Sequence, residues 1–306
     1  MADVSSELRL RRTQTEGVLF AIAAYGAWGF LVFLYRALRH VDTVELIAHR
    51  AVWSLVFLVG VLAFRKSYGR LWSVLKSPKL LACLFFTGSL TAINWGIFVW
   101  TVAEDRILES ALGYYINPLV SVLLGVVLLG ERLSRPQTVA IALAALGVVF
   151  FGFSLGVLPW VPLALAFTFG FYGYFRKIIE VGPAVGLIVE TFWMSMLALP
   201  YILWQVDNGL SQWDATPWSP WLLIATGPAT ALPLLWFTAA AQRVRLATLG
   251  MLQYLLPTIH FLIAVFAFGE AVTFGHIVTF GLIWTALVIF SGEMLLREKR
   301  ARSGAI

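Results

Sequence analysis

The chain has 306 residues, of which 60% are hydrophobic and 12% are charged, and its formal net charge is +6. A soluble domain carries roughly 25% charged residues, so a chain this apolar cannot hide its hydrophobic surface in water, and lipid must solvate much of it. This composition excludes a soluble globular protein. The basic residues lie between the apolar runs, which argues against a nucleic-acid-binding protein.

Ten apolar runs are each long enough to cross ~30 Å of hydrocarbon as a helix. The first follows a polar tail of residues 1–16 and is too long for the hydrophobic region of a signal peptide, so we take it as a retained span. Barrel strands alternate in hydrophobicity over about 10 residues, which these uniform runs do not. The predicted spans are residues 17–36, 44–64, 80–103, 107–129, 137–155, 158–175, 184–206, 221–241, 246–268 and 274–296.

The fourth and ninth runs share a pattern that indicates an internal duplication. In each, a Tyr stands three residues before a Pro, and a Gly-Glu pair follows after eleven further residues; the two sets are Tyr115, Pro118, Gly130 and Glu131, and Tyr254, Pro257, Gly269 and Glu270. A second match aligns Gly29 and Arg36 of the first run with Gly170 and Lys177 of the sixth. We interpret the two glutamates as structural contacts at helix ends.

The matching runs are five apart, so the repeat unit is five helices long. Because five is odd, the two copies must cross the membrane in opposite senses, as in many secondary transporters. We therefore predict an all-α integral membrane protein with ten transmembrane helices, arranged as two inverted five-helix repeats. The repeats cover residues 17–155 and 156–296, between an N-terminal tail (1–16) and a basic C-terminal tail (297–306). Lys and Arg concentrate in alternate connections, which predicts that both termini are cytoplasmic.

Several stretches resemble one known family. They are Ala27-Trp28-Gly29, residues 45–50 (Glu-Leu-Ile-Ala-His-Arg), Asn94-Trp95 and residues 112–119 (Leu-Gly-Tyr-Tyr-Ile-Asn-Pro-Leu). Together with the ten spans and the Gly-Glu pairs, they resemble the RarD branch of the EamA-like drug/metabolite transporters over about residues 17–296. The resemblance implies a permease of the bacterial plasma (inner) membrane, export rather than uptake, and an association with chloramphenicol resistance.

Arg50 is the main candidate for substrate binding, since an Arg inside a span costs at least ~2.5 kcal/mol and must face protein or a water-filled cavity. Its planar guanidinium suits a carboxylate or phosphate. Two interpretations stay open: an anchor for an anionic substrate group, or an internal ion pair with Glu190. Glu190 is in turn a candidate proton carrier or a structural partner.

Uncharged polar and aromatic residues near the paired prolines complete the predicted site, although such groups also bond helices together. A Pro removes a backbone hydrogen bond, so the glycines and prolines there are predicted hinges. The predicted substrate-binding residues are His49, Arg50, Asn94, Trp95, Tyr114, Tyr115, Asn117, Glu190, Gln253 and Tyr254, and the hinge residues are Gly113, Pro118, Gly250 and Pro257.

The function expected from these residues is secondary active transport of a small organic metabolite or amphipathic drug by alternating access, with protons as a candidate coupling ion. No nucleotide-binding loop, zinc-protease motif or nucleophile elbow is present, and the one cysteine, Cys83, makes a cysteine metal site implausible. We predict no enzyme activity, cofactor or metal. A channel or structural membrane subunit is the alternative, and a membrane lipid enzyme a further one. The residues specify no particular substrate and no oligomeric state.

Overall fold

The computed structural model describes residues 2–66, 68–104, 107–155, 160–269, 272 and 274–303. Within these residues every regular element is an α-helix, because apolar segments in lipid must satisfy their own backbone hydrogen bonds. The helices are α1 (Ala2–Ala37), α2 (Thr43–Arg65), α3 (Tyr68–Leu75), α4 (Pro78–Ala103), α5 (Ile107–Leu129), α6 (Arg135–Leu155), α7 (Trp160–Ile178), α8 (Pro183–Asp207), α9 (Ser219–Ala241), α10 (Leu246–Gln253), α11 (Leu255–Phe268) and α12 (Phe274–Ser303).

The helices confirm the all-α membrane fold. The described helices contain nine stretches that are long and apolar enough to cross a bilayer, and α10 and α11 together form one of these stretches. The 19-residue α7 reaches about 28 Å, packs against α4 and α5, and supplies the tenth crossing. Residues 158–159, where the sixth span was predicted to begin, lie outside the described residues.

Two local features differ from the sequence-based expectation. The short helix α3 follows the second span, was not predicted, and exposes Tyr68 and Trp72. The ninth span is divided at Tyr254 into α10 and α11, whereas α5 runs as one helix through Pro118. Pro257 is the third residue of α11, where a missing N–H removes no intrahelical hydrogen bond.

The fourth and ninth spans cross in opposite directions. Glu131, just after α5, accepts hydrogen bonds from the backbone N–H groups of Leu246 (2.6 Å) and Ala247 (2.9 Å) at the start of α10. The Tyr254 hydroxyl, at the end of α10, donates to the carbonyl of Tyr115 in the first half of α5 (3.2 Å). Position along α5 therefore decreases as position along α10 increases, which makes the two equivalent spans antiparallel.

Two further pairs of equivalent helices are also antiparallel. In the α6–α12 pair, Gly147 lies against Leu282, and the Phe151 ring lies 6.2 Å from the ring of His276. In the α2–α8 pair, Ser211, which follows α8, donates to Glu45 at the start of α2 (2.8 Å). These contacts are those of two halves with inverted topology. The proposed division between residues 155 and 156 adjoins residues outside the described ranges and stays a prediction.

Close glycine contacts reveal the register of the repeat. A Cβ added to Gly29 of α1 would lie 2.7 Å from the Ile259 side chain, and one added to Gly170 of α7 would lie 2.7 Å from the Val120 side chain. Ile259 stands two residues after Pro257, as Val120 stands two after Pro118. The same small residue therefore packs against the same position in each half, which supports the alignment of Gly29 with Gly170.

The repeated Gly-Glu pairs end helices. Gly130 and Gly269 have φ angles of +62° and +69°, a left-handed conformation that other L-residues rarely adopt and that commonly ends a helix. Glu131 then holds the N-terminus of α10, where backbone N–H groups and the helix dipole favour an anion. The interpretation of Glu131 as a structural contact is confirmed; Glu270 lies outside the described residues.

The first residues of α1 and the last residues of α12 lie at the end of the bundle where Glu131 meets α10, which we call the terminal end; the other end is the far end. Near the terminal end, Gly17 of α1 lies against Val244. The largest apolar core lies between the two halves, where Phe237 contacts Tyr25 of α1 and Tyr172 of α7.

The antiparallel contact between α5 and α10 depends on a small residue at position 250. A Cβ at Gly250 would lie 2.6 Å from the Pro118 carbonyl oxygen, whereas a Cβ at Gly281 of α12 would meet no atom within 4 Å. We expect Gly250→Ala to lower the free energy of unfolding by about 1–3 kcal/mol through overpacking. Gly281→Ala should be neutral or stabilising. Equal melting temperatures of the two purified variants in detergent would contradict this packing.

Candidate substrate site

Arg50 lies about 10 Å along α2 from its far-end terminus and is half-buried among polar and aromatic side chains. Its Nε donates a hydrogen bond to Thr230 Oγ1 of α9 (3.1 Å). The guanidinium carbon lies 4.6 Å from the ring centroid of Trp95 and 5.3 Å from that of Tyr35, so both rings make cation–π contacts. We call Tyr35, Arg50, Trp95 and Thr230 the Arg50 group.

No carboxylate neutralises Arg50 within the described ranges, where every ion pair closer than 4 Å involves another base. The aromatic contacts offset part of the cost of placing a cation in the membrane, each by about 0.5–2 kcal/mol. Neither Nη group donates to a described side chain, so the guanidinium retains its paired donors for a ligand.

Glu190 pairs with Arg176 and not with Arg50, so the predicted ion pair between Arg50 and Glu190 is wrong; substrate binding by Arg50 stays a prediction. Its Oε1 lies 3.5 Å from Nη1 of Arg176 and accepts a hydrogen bond from the Thr87 hydroxyl (2.6 Å), and its Oε2 accepts one from Tyr172 (3.3 Å). Both charged side chains are almost completely buried. Glu190 therefore belongs to a separate ion pair between α7 and α8.

His49 faces a different part of the bundle from its neighbour Arg50. Its ring lies 5.4 Å from that of Trp213, in the segment between α8 and α9, and its Nε2 lies 3.8 Å from Glu45 Oε1. Neither ring nitrogen has a hydrogen-bond partner in the described part of the chain. Glu45 also accepts from the Gln212 backbone N–H (3.0 Å), so this cluster fastens the 208–218 segment to α2.

Asn94 ties α4 to α7. Its Nδ2 lies 2.9 Å from the Leu165 carbonyl oxygen and 2.9 Å from Thr168 Oγ1, and it donates to both. The residue is buried and directly precedes Trp95. Its role in the structure is therefore to fix the helix that carries one wall of the Arg50 group.

Most of the predicted residues around the prolines lie along the contact between α5 and α10. Asn117 accepts a hydrogen bond from Ser121 (3.5 Å), Gln253 is buried, and Tyr115 packs its ring against Phe151 at 4.8 Å. Gly113, like Gly250, allows close helix packing, since its Cβ would lie 3.0 Å from Leu165. The hinge role predicted for Gly113, Pro118, Gly250 and Pro257 stays a prediction.

A cavity of about 200 Å³ lies toward the far end, between α5, α11 and α12. Tyr114 lines the cavity from α5. The cavity lining includes Ala111, Tyr114, Tyr115, Pro257, His260 and His276.

Polar contacts join helices and loops at the terminal end. Arg245 Nη2 donates to the Arg132 carbonyl (2.5 Å), which, together with the Glu131 bonds to α10, joins the loops of the two halves. The Lys177 ammonium donates to the carbonyls of Ala241 (3.1 Å) and Val244, which links α7 to the connection after α9 within the second half.

Comparison with known proteins agrees with this architecture. The model of the EamA-like transporter family matches residues 15–153. Protein RarD of Escherichia coli (strain K12) is 40% identical over 286 residues, which cover 93% of this chain and 97% of that protein. The chain belongs to the EamA-like transporter family, in its RarD branch.

Two further relatives match this chain over nearly their full length. An uncharacterized transporter of Vibrio cholerae is 42% identical, with 94% of this chain and 95% of that protein covered. The Chloramphenicol-sensitive protein RarD of Pseudomonas aeruginosa is 32% identical, with coverages of 96% and 99%. A solved crystal structure with 19% identity superposes with a TM-score of 0.71, covering 90% of this chain and 97% of that chain, which shows a shared fold.

Sequence reasoning missed Tyr35, Thr230 and Arg176. Tyr35 and Arg176 immediately precede Arg36 and Lys177, the residues that the repeat aligns, so the repeat register was the signal that could have found them. Thr230 has no comparable signal, because a single hydroxyl in an apolar helix usually bonds to its own backbone.

The Glu131 contacts of this transporter predict a selective loss of stability. Glu131→Ala removes the acceptor of two backbone N–H groups and should cost about 1–2 kcal/mol, comparable to the loss of a helix N-cap. The control is Glu16→Ala, since Glu16 makes only an exposed ion pair with Arg12. If thermal unfolding in detergent gave both variants the same melting temperature, Glu131 would not hold α10.

Proposed function

We propose that this protein is a secondary active transporter of a small organic anion with a planar apolar part, working by alternating access between its inverted halves. The observation that supports the anionic class is Arg50, a membrane-embedded guanidinium set between Trp95 and Tyr35 with no described carboxylate within 4 Å. Secondary transporters of inverted-repeat design bind substrate near the bilayer midplane between their repeats.

The preference for an anion follows from the cost of charge in the membrane. A carboxylate in the Arg50 group would accept two charge-assisted hydrogen bonds from the guanidinium, and these bonds are about twice as strong as neutral ones. The rings of Trp95 and Tyr35 offer flat apolar surface to the rest of the substrate. A neutral compound can carry a group of the same shape as a carboxylate, as chloramphenicol does with its nitro group. Such a group would bind the guanidinium less tightly, because it carries no net charge.

Alternating access is supported by the contrast between the two ends. The far end has a cavity lined by Tyr114, whereas the contacts of Arg245 and Glu131 join the two halves at the terminal end. If the two ends alternated between an open and a closed arrangement, the Arg50 group would be exposed to each side of the membrane in turn. Export as the direction and protons as the coupling ion belong to the same proposal, and the relative named Chloramphenicol-sensitive protein RarD supports a link to amphipathic compounds.

The orientation that we propose places both termini and the terminal end in the cytoplasm, because Lys and Arg are concentrated in the connections on that side. A cytoplasm-active reporter fused after residue 303 should be active, and the same reporter inserted at Gly209, in the far-end connection between α8 and α9, should be inactive. The reverse pattern would contradict the proposed orientation.

The substrate class is tested with benzoate as the probe and benzamide as its neutral isostere. In proteoliposomes we expect saturable benzoate flux that a pH gradient drives into accumulation, with benzamide a poor competitor. Arg50→Gln should reduce kcat/KM by at least about tenfold, since a charge-assisted hydrogen bond contributes roughly 1.5–3 kcal/mol. Arg50→Lys should recover part of the loss, because it keeps the charge without the planar pair of donors.

The matched control is Arg39→Gln, which removes an exposed Arg at the same end of the bundle. Unchanged benzoate flux in Arg50→Gln would overturn the anion site. Flux that neither saturates nor accumulates would favour the channel alternative.

A further inference from the structure

A second guanidinium is buried near the terminal end of the bundle. Arg176, in the last turn of α7, has no exposed surface, and none of its three guanidinium nitrogens has a hydrogen-bond partner among the described residues. Its neighbouring anion is Glu190, whose Oε1 lies 3.5 Å from Nη1. A Cβ at Gly186 of α8 would lie 2.3 Å from Nη1, so the absence of a side chain there makes room for the guanidinium.

The repeat register relates this ion pair to the Arg50 group. The alignment of Gly29 with Gly170 makes Arg176 the counterpart of Tyr35, which contacts Arg50. Glu190 lies on α8, the equivalent of the α2 helix that carries Arg50. The two clusters are therefore inverted copies of one site, at opposite depths in the membrane.

A threonine completes both copies. Thr87 lies on α4 and donates to Glu190, and Thr230 lies on α9, the equivalent of α4, and accepts from Arg50. In the copy near the terminal end, the hydroxyl and the guanidinium surround a carboxylate. In the copy near the far end, the hydroxyl and the guanidinium surround no described carboxylate. A bound substrate anion would occupy the place that Glu190 takes in the other copy.

The Arg176–Glu190 contact is unlike that of an ion pair optimised for stability. Charge-assisted N–H···O bonds are usually about 2.7–2.9 Å long, and buried pairs offset their desolvation only when the remaining donors are also satisfied. Here the separation is 3.5 Å and the guanidinium makes no hydrogen bond within the described ranges. Glu190 already accepts hydrogen bonds from Thr87 and Tyr172, whereas the guanidinium donors of Arg176 make none among the described residues, so a second carboxylate would compete with Glu190 for them.

We propose that Arg176 is a second binding site for the substrate carboxylate, reached from the terminal end, and that Glu190 occupies it while substrate is absent. When the halves exchange conformations, an incoming carboxylate displaces Glu190 from Arg176. Substrate then meets a guanidinium on each side of the membrane, first Arg176 and afterwards Arg50 in the export direction. This inference rests on the proposed transport of organic anions.

The test removes each guanidinium and the competing carboxylate in turn and measures benzoate binding to the purified protein by thermal shift. In Arg50→Gln the remaining site is Arg176, occupied by Glu190, so binding should be weak. Adding Glu190→Gln should strengthen benzoate binding about tenfold, while benzamide binding stays unchanged. A further Arg176→Gln should abolish the gain. If Arg50→Gln/Glu190→Gln binds benzoate no better than Arg50→Gln alone, the second site is overturned.

Loss of Glu190 leaves a buried charge unpaired, so the variant is expected to be unstable, and this gives a second measurement. Benzoate added during purification should then rescue the folded fraction of Glu190→Gln, and benzamide should not. Rescue by both compounds, or by neither, would contradict the proposal. The charge-swapped variant Arg176→Glu/Glu190→Arg keeps an ion pair, so wild-type benzoate flux in that variant would show that the pair is only structural.

These outcomes are distinct from failure of the proposed function. Unchanged benzoate binding in the single Arg50→Gln variant overturns the Arg50 site. An absent gain on removal of Glu190, in a protein that does lose binding with Arg50→Gln, overturns the Arg176 site alone.

Discussion

The cost of a charge in hydrocarbon governs how this bundle arranges its polar side chains. An arginine at the centre of a membrane helix costs at least ~2.5 kcal/mol, so each one must find compensation. The charge of Arg176 is compensated by the buried carboxylate of Glu190. The same cost applies to a carboxylate, and the charge of Glu131 is compensated by backbone N–H groups at the N-terminus of α10. Among the described residues, Arg50 contacts two aromatic rings and one hydroxyl but no carboxylate.

Inverted duplication explains why these solutions occur on both sides of the membrane. Equivalent helices cross antiparallel at three contacts, and glycines at matching positions set the distances between them. A site present in one half is therefore repeated in the other half at the mirrored depth. Among the described residues, the Arg176 cluster contains the carboxylate of Glu190, whereas the Arg50 group contains none.

The fold was accessible from the sequence because lipid imposes simple rules on length and composition. Runs of about 20 apolar residues gave the spans, and the Pro and Gly-Glu positions gave the repeat. Helix α3 escaped prediction because eight residues are too few to span a membrane. The break at Tyr254 was not predicted either. The matching residue in the first half is Tyr115, and α5 runs unbroken through Tyr115 and Pro118.

The site was predicted only in part. Arg50 and Trp95 do come together, because a charged and a large aromatic side chain in apolar helices have few tolerable positions, and Tyr114 lines the cavity toward the far end. Glu190 was grouped with Arg50, but pairing between helices depends on their rotation and depth, which a single sequence does not encode. Arg176, the ion-pair partner of Glu190 in the structure, lies one residue beyond the predicted sixth span (158–175).

The most direct test is the distance between the ligand and the guanidinium. Solid-state NMR on the reconstituted protein, with 13C in the benzoate carboxylate and 15N in the arginine guanidinium groups, measures this separation. A carboxylate paired with Arg50 should place the labelled carbon about 4 Å from guanidinium nitrogens, and the signal should fall sharply in Arg50→Gln, where only the weak Arg176 site remains. Bound benzoate with no arginine nitrogen at that distance would contradict the account.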